Sequence, residues 1–238
     1  MNNFQQERCL ICGQFITAVV GWGWIFSMET EHVICEACEG KLERIEGETC
    51  KICGRSFEAL ANTFRIGEIC NDCCRWEEDL QWQGLLEKNF SLFHYNDFLK
   101  EVIAKFKYRG DYILAKVFSD EIKSRLGNME ADLFIPIPLS EERLYERGFN
   151  QAEALLLEAG FAPVKMLTRV HSEKQSKKSR TERIHLPQVF QLIPAPQLQG
   201  RKVILVDDIY TTGSTLRHAA KLLKEAGAFS VNSLTIAR

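Results

Sequence analysis

Eight of the nine cysteines in this 238-residue chain form four Cys-x-x-Cys pairs. Two residues between thiols let both sulfurs of a tight turn face one ion, and two such turns complete a tetrahedral zinc site with Zn–S distances of about 2.3 Å. Cys74 is left without a predicted role. The pattern predicts two structural zinc ions, bound by Cys9, Cys12, Cys35, Cys38, Cys50, Cys53, Cys70 and Cys73.

The cysteine-rich region contains an internal repeat. Cys9-Leu-Ile-Cys12-Gly13 matches Cys50-Lys-Ile-Cys53-Gly54, and each is followed by a second pair that runs into a helix-like stretch, at 39–46 and 76–86. The repeat favours sequential pairing, although a cross-braced arrangement that exchanges the middle pairs stays open. Disulfides and redox-active pairs are the alternatives, and four repeated pairs in a chain without a secretion signal disfavour both.

A second group of reactive side chains follows the apolar segment Val203–Val206. Asp207 and Asp208 come directly after this predicted strand, where two carboxylates can accept hydrogen bonds from vicinal ribose hydroxyls. The residues that follow offer hydroxyl and N–H groups at a helix N-terminus, which suits a phosphate. Each residue alone has an ordinary structural explanation, but together they predict a sugar-phosphate site that includes Thr211, Thr212, Gly213, Ser214 and Thr215.

Charge divides the chain in the same place as cysteine content. Residues 1–90 carry 8 Lys+Arg against 15 Asp+Glu, whereas residues 91–238 carry 22 against 17. Two Zn²⁺ with eight thiolates make the front more acidic still. The basic second part is therefore the better candidate for anionic ligands and nucleic acid.

Strands alternate with helices after residue 90, which predicts a parallel sheet with helices on both faces. Ligands of such sheets bind beyond the carboxyl ends of the strands. We expect strands at 91–95, 133–137, 164–168, 203–206 and 231–236, and helices at 98–106, 112–125, 142–158 and 214–226. The predicted division is a zinc-binding region at 1–75, a helical linker at 76–90 and the α/β domain at 91–238.

No apolar run approaches the roughly 20 residues that a membrane-spanning helix needs, and a secretion signal is not recognisable at the start. The eleven-residue apolar segment Ile16–Phe26 is predicted to form a hairpin instead. We therefore expect a cytoplasmic protein without membrane insertion.

Two motifs resemble known signatures. Val203–Thr215 is similar over all thirteen positions to the phosphoribosyl pyrophosphate (PRPP) signature of type I phosphoribosyltransferases. Ile135-Pro-Ile-Pro-Leu-Ser140, with Arg143, Arg147 and Gly148-Phe-Asn-Gln151, resembles the signature of the ComF family, phosphoribosyltransferase-like proteins with an N-terminal zinc finger that are associated with competence for DNA uptake. The resemblance spans nearly the whole chain and implies a type I phosphoribosyltransferase-like fold.

This resemblance assigns roles to residues. Asp207 and Asp208 would hold the ribose hydroxyls of PRPP, Thr211–Thr215 would hold its 5′-phosphate, and Ser140, Arg143 and Arg147 would lie near the pyrophosphate and Mg²⁺. In type I enzymes a mobile loop closes over the site. The basic segment 169–183 fits that role and equally a nucleic-acid contact, through Arg169, Lys174, Lys177, Lys178, Arg180 and Arg183.

Two functions follow from the resemblance. The chain could bind PRPP without turnover as a component of DNA uptake, with single-stranded DNA and other competence proteins such as a DNA-uptake helicase as partners. It could alternatively be an active Mg²⁺-dependent phosphoribosyltransferase, acting on a nucleobase or nucleotide in metabolism or salvage.

Overall fold

A computed structural model describes residues 8–16, 32–58, 64–108, 110–170, 189–193 and 198–238. Apart from Ile16, the predicted hairpin Ile16–Phe26 lies outside these ranges. The cysteine-rich front forms two small units. The first contains helix α1 (Glu36–Glu39), and the second contains the antiparallel strands β1 (Arg65–Ile66) and β2 (Ile69–Cys70), followed by helix α2 (Asn71–Glu78).

The two units repeat the same backbone turn. The N–H of Cys9 donates to Gln14 and that of Gly13 to Cys9, just as Cys50 donates to Arg55 and Gly54 to Cys50, all within 2.8–2.9 Å. In each unit the third cysteine stands directly before a helix, Cys35 before α1 and Cys70 before α2. The repeat seen in the sequence is therefore a repeat of hydrogen bonding.

A four-stranded parallel sheet forms the centre of the rest of the chain. Its strands are β3 (Asn89–Phe93), β4 (Leu133–Pro136), β7 (Lys202–Ile209) and β8 (Ser230–Ala237), in the order β3-β8-β7-β4. A separate antiparallel pair consists of β5 (Leu167–Arg169) and β6 (Phe190–Leu192). All four strands of the main sheet end on the same edge, which is where a ligand is expected.

Helices cover both faces of this sheet. One face packs on α3 (Asp97–Tyr108), a 3₁₀ helix (Tyr112–Phe118), α4 (Ser119–Gly127) and α6 (Gln151–Glu158), while the other packs on α7 (Ser214–Glu225) and the β5–β6 pair. The short helix α5 (Glu141–Arg147) buries no residue. Successive side chains of β7 point to opposite faces of the sheet and so contribute to both cores. Ile204 and Val206 lie in one core, and Val203 and Leu205 lie in the other.

The structure corrects several predicted elements. The helix expected at 142–158 is two helices, because Gly148 adopts φ 78° after α5 and Asn150 caps α6 with its side chain. The segment expected to be helical at 112–125 begins as a 3₁₀ helix. The strand expected at 164–168 is divided: Val164 donates to the Phe134 carbonyl of β4 at 2.8 Å beside a parallel bridge, whereas β5 begins at Leu167 and pairs with β6.

The prediction that the linker at 76–90 is helical is also wrong. Helix α2 ends at Glu78, turns occupy much of the next ten residues, and β3 begins at Asn89. The proposed division of the chain at residues 75 and 90 stays a prediction.

Both cysteine-rich units pack on the α/β domain, on opposite faces of its sheet. Cys9 and Cys38 of the first unit belong to the core around α3, whereas all four cysteines of the second unit belong to the core around α7. The edge strand β3 links them: Ile45 donates to the Leu92 carbonyl (2.9 Å), and Asn89 donates to the Ile52 carbonyl (2.6 Å). Within the described ranges, none of the helices is long and apolar enough to cross a membrane.

Candidate functional site

The cysteine sulfurs form two clusters. In each, the four Sγ atoms lie within 4.8 Å of one another, and measured separations are 3.8 Å for Cys12–Cys35 and 3.6 Å for Cys53–Cys70. A disulfide requires about 2.05 Å, whereas a tetrahedron with Zn–S bonds of about 2.3 Å has edges of about 3.8 Å. The distances fit zinc. Sequential pairing is confirmed and the cross-braced arrangement is wrong: the first cluster is Cys9, Cys12, Cys35 and Cys38, and the second is Cys50, Cys53, Cys70 and Cys73.

The two clusters differ in burial. In the second, all four cysteines are at most 1% exposed, and the N–H of Cys70 donates to the Cys50 sulfur at 3.3 Å. In the first, Cys12 is exposed. Cys74 is buried but belongs to neither cluster, and burial, followed by the charge of Cys70, raises the pKa of its thiol.

Asp207 and Asp208 lie near the carboxyl end of β7. The Nζ of Lys107, near the end of α3, is 2.8 Å from Oδ2 of Asp208, and both side chains are about 15% exposed. Burial, and then the negative charge of Asp208, raise the pKa of Asp207 to about 7, although Lys107 and Arg169 oppose this. One carboxylate is therefore held by a lysine, while its neighbour titrates near neutral pH.

The Thr211–Thr215 loop joins these carboxylates to helix α7. Gly213 adopts φ 80°, and a Cβ there would lie 2.1 Å from the Tyr210 hydroxyl, so glycine is required. Within the described part of the chain, the backbone N–H groups of Thr211, Thr212, Gly213 and Thr215 donate to no carbonyl oxygen. Four such donors at the start of a twelve-residue helix form a suitable site for an anion.

The second motif surrounds helix α5, which follows strand β4. The Ser140 side chain caps this helix by accepting from the Arg143 N–H (3.4 Å). Arg143 is exposed, whereas Arg147 is half-buried and donates to Gln151 at 2.9 Å. Asn150 donates to the carbonyl of Ile137 at 3.0 Å, which ties this segment to the end of β4.

Arg169, the last residue of β5, is affected by charges of both the basic segment and the carboxylates. Its pKa is lowered by burial and by the positive charges of Arg143 and Arg147, while Asp207 acts in the opposite direction. These residues come from three separate segments and share one electrostatic environment. The remaining basic residues of the predicted loop lie outside the described residues: Lys174, Lys177, Lys178, Arg180 and Arg183.

Sequence reasoning missed three contacts at this site. Lys107 follows directly after the helix predicted at 98–106, and the observed α3 continues through it to Tyr108. Trp76 of α2 donates its indole N–H to the Thr212 carbonyl at 3.0 Å, and the neighbouring Glu77 binds Arg217 of α7 at 2.9 Å. These last contacts join segments about 140 residues apart, which no local pattern reveals.

Two family models match the chain. Residues 4–74 match the double zinc ribbon domain, and residues 147–238 match the phosphoribosyl transferase domain. The fold is accordingly a phosphoribosyltransferase-type sheet with an N-terminal double zinc ribbon. Among solved structures, adenine phosphoribosyltransferase from Saccharomyces cerevisiae is similar at a TM-score of 0.33 and 21% identity, covering 60% of this chain and 76% of that one, which is too distant to support an argument.

Two relatives match over almost their entire length. Competence protein ComFC of Bacillus subtilis (strain 168) is 38% identical over 97% of this chain and 94% of its own. Competence protein ComFC of Streptococcus pneumoniae is 32% identical over 97% of this chain and 100% of its own. At this identity and coverage, the chain belongs to the ComFC family of competence proteins.

Proposed function

We propose that this protein handles incoming DNA in the cytosol during natural transformation, and that its phosphoribosyltransferase-type domain binds PRPP with Mg²⁺. One observation carries the ligand: two neighbouring carboxylates, Asp207 and Asp208, stand beside a loop with four backbone N–H groups that donate to no carbonyl oxygen within the described residues. This pairing matches a ribose with free hydroxyls and a phosphate on one molecule.

The carboxylates provide the ribose half of the site. Each oxygen of an ionised carboxylate accepts hydrogen bonds, so Asp207 and Asp208 can take the 2′- and 3′-hydroxyls. Lys107 holds the Asp208 carboxylate at 2.8 Å and thereby fixes its orientation. Asp207 already accepts the Asp208 N–H at 2.9 Å, and bound hydroxyls would add further donors to its carboxylate.

The Thr211–Thr215 loop provides the 5′-phosphate half. Its N–H groups lie at the positive end of helix α7 and, with the threonine and serine hydroxyls, favour a dianion. Gly213 allows the close approach of this backbone to phosphate oxygens.

Basic residues around α5 and β5 are suited to the pyrophosphate. The positive charges of Arg143 and Arg147 lower the pKa of Arg169, and an anionic group between these residues would offset that repulsion. Mg²⁺ bound with PRPP would neutralise the remaining charge of the pyrophosphate. Ser140, at the start of α5, would face this part of the ligand.

Calorimetric titration of Mg²⁺-PRPP into the zinc-loaded protein tests the ligand. We expect saturable binding that Asp207→Asn and Asp208→Asn each weaken by at least about tenfold, because each removes a charged acceptor. Asp120→Asn is the matched control, since Asp120 is exposed in the first turn of α4. No saturable binding by the wild type would refute PRPP binding, and equal binding by all four proteins would refute the assignment of the ribose to Asp207 and Asp208.

The DNA-handling role rests on the competence relatives and on the net basic charge of residues 91–238. Single-stranded DNA should bind more weakly as salt rises, and neutralising Lys174, Lys177 and Lys178 to glutamine should reduce that salt dependence. Transformation frequency of a strain carrying the triple variant should fall in parallel. DNA binding that does not depend on salt, and that the triple variant leaves unchanged, would contradict this part of the proposal. The proposal also includes a DNA-uptake helicase as a partner.

A second candidate function is phosphoribosyl transfer. The pKa of Asp207 near 7 favours it, because a carboxyl that titrates near neutral pH can accept or donate a proton during a reaction. Incubation with Mg²⁺-PRPP and a panel of nucleobases, nucleotides and single-stranded DNA should then release pyrophosphate. Release no greater than that of Asp207→Asn would restrict the domain to binding.

A further inference from the structure

We infer that helix α2 positions the Thr211–Thr215 loop through Trp76, so that zinc in the second cluster and PRPP at the loop stabilise each other's binding. This inference rests on the proposed function for its ligand. It gives the second zinc ribbon a role at the candidate site, with Trp76 as a positioning residue that does not itself touch PRPP.

The central contact is a hydrogen bond from α2 to the loop. Trp76 is 4% exposed, and its indole N–H donates to the Thr212 carbonyl at 3.0 Å. In a trans peptide the carbonyl and the next N–H point in opposite directions. By holding the Thr212 carbonyl, Trp76 turns the N–H of Gly213 away from α2 and keeps it available to a ligand.

A second contact joins α2 to the helix that follows the loop. Arg217 of α7 is fully buried, its Nη1 lies 2.9 Å from Oε1 of Glu77, and its guanidinium lies 5.1 Å from the Trp76 ring centre. The N–H of Arg217 also donates to the Gly213 carbonyl at 2.9 Å. Both ends of the Gly213 region are therefore tied, directly or through Arg217, to neighbouring residues of α2.

The second cluster fixes the start of α2. Cys70 occupies the N-cap position of the helix and Cys73 lies in its first turn, and both belong to this cluster. Trp76 follows Cys73 by three residues, just under one helical turn and a rise of about 4.5 Å. A helix of eight residues is too short to be stable alone, so its position depends on the cluster and on packing.

Among the described residues, no hydrogen bond joins the unit of the first cluster to Thr211, Thr212 or Gly213. This unit packs on α3 in the core that contains Cys9 and Cys38, and the Lys105 ammonium group donates to the Ile11 carbonyl at 3.1 Å. Helix α3 has support of its own, because Leu99, Ile103 and Phe106 are at most 1% exposed in the core of the α/β domain. Loss of zinc there should leave the loop in place.

Trp76→Phe tests the inference, because it removes the indole N–H and keeps an aromatic ring. The matched control is Trp82→Phe, since Trp82 is 6% exposed and packs on Trp76 at 5.3 Å but makes no hydrogen bond to the loop. We expect Trp76→Phe to weaken Mg²⁺-PRPP binding about tenfold and Trp82→Phe by less than about threefold. Both proteins should retain two zinc ions.

Hydrogen exchange of the ligand-free proteins separates this inference from PRPP binding itself. Trp76→Phe should speed exchange of the Arg217 amide, which donates to the Gly213 carbonyl at 2.9 Å, by about tenfold relative to Trp82→Phe. In the unmodified protein, the indole N–H of Trp76 should exchange more slowly than that of Trp82, which keeps the test valid should a variant fail to fold.

The outcomes are distinguishable. If the wild type binds no PRPP but the exchange difference is present, the proposed ligand is wrong while the coupling of α2 to the loop stands. If the Arg217 amide exchanges at the same rate in both variants, or if the two indole groups exchange equally in the unmodified protein, the inference is overturned whatever the binding result.

Discussion

The two zinc ribbons contact different halves of the candidate site. The second reaches the Thr211–Thr215 loop through Trp76 of α2, by a hydrogen bond to the backbone. The first packs on α3, the helix whose Lys107 holds the Asp208 carboxylate. One ribbon therefore acts on the proposed phosphate half, and the other lies behind the proposed ribose half.

The two ribbons differ in how directly their contact with the candidate site depends on bound zinc. All four cysteines of the second cluster are buried in the core that includes Tyr210 and Leu216. The first cluster includes the exposed Cys12, and its unit meets α3 through the core that contains Cys9 and Cys38 and through the Lys105 side chain. The two copies of the Cys-x-x-Cys motif thus differ in how deeply their cysteines are buried against the α/β domain. We expect the second zinc to be required by the site and the first to be nearly dispensable to it.

The largest effect should come from a cysteine of the second cluster. Cys53→Ser removes a fully buried thiolate, and structural zinc binding contributes about 10 kcal/mol or more in isolated fingers. We expect zinc content to fall to one per chain, the midpoint of thermal unfolding to fall by roughly 10 °C or more, and PRPP binding to be lost.

Cys12→Ser is the matched variant of the first cluster. It should also release one zinc, but lower the unfolding midpoint by less than roughly 5 °C and leave PRPP affinity within about threefold of the wild type. Equal losses in the two variants, measured by metal analysis, thermal unfolding and calorimetry, would remove the proposed difference between the clusters.

A smaller effect is expected from Gly213→Ala, within the half that the second ribbon contacts. Its new methyl group would collide with the Tyr210 ring and hydroxyl, in addition to the cost of about 1–2 kcal/mol for a non-glycine residue at φ 80°. Gly160→Ala is the control, because Gly160 adopts φ 83° with no atom within 4 Å of the added Cβ. Thermal unfolding should show a larger loss of stability for Gly213→Ala than for Gly160→Ala, and only Gly213→Ala should lose PRPP binding. If the two variants are indistinguishable, the loop tolerates the methyl group.

In the ribose half of the site, a substitution of Asp207 should change how the free energy of unfolding depends on pH. Because the pKa of Asp207 rises from 3.8 to about 7 on folding, the folded protein holds this proton more tightly than the unfolded chain, and the free energy of unfolding falls as pH rises between these values. Asp207→Asn removes that loss. We expect the variant to be more stable than wild type by roughly 1–3 kcal/mol at pH 8 and about equal to it near pH 4.

Thermal unfolding of both proteins from pH 4 to pH 8 measures this difference. A difference that does not change with pH would show that Asp207 is an ordinary, ionised surface acid. The same variant should bind PRPP poorly, so that stability and ligand binding change in opposite directions.

The smallest effect should come from Lys107→Gln. Lys107 lowers the pKa of Asp207, so its loss should raise that pKa further and move the pH profile upward. Lys105→Gln is the control on the same helix, since Lys105 contacts Ile11 of the first ribbon rather than the carboxylates. Identical pH profiles for the two variants would show that α3 does not act on this half of the site.

The parts of the site that could be predicted from sequence are those built from short segments. The Cys-x-x-Cys spacing defines each zinc ligand pair, and the strand at 203–206 followed by Asp207, Asp208 and the Thr211–Thr215 loop places carboxylates and N–H groups within one turn. Spacing alone left the pairing of the cysteines open. Only their positions in space decide it.

The missed features depend on geometry that a periodic pattern does not carry. The apolar residues at 142–158 suggested one helix, but the left-handed backbone of Gly148 divides it and redirects Arg147. The bond between Trp76 and Thr212 spans 136 residues and is visible only once the second ribbon is folded against α7. Sequence thus predicted the zinc ribbons and the candidate site separately, without the contact between them.

The most direct test of that contact is the rate at which zinc leaves each cluster of the unmodified protein in excess chelator, with and without saturating Mg²⁺-PRPP. Coupling between two sites is reciprocal, so PRPP should slow zinc release from the second cluster severalfold and leave the first unchanged, with Asp207→Asn showing no such protection. If both zinc ions leave at rates that PRPP does not alter, or if PRPP protects the two clusters equally, the second ribbon does not position the site.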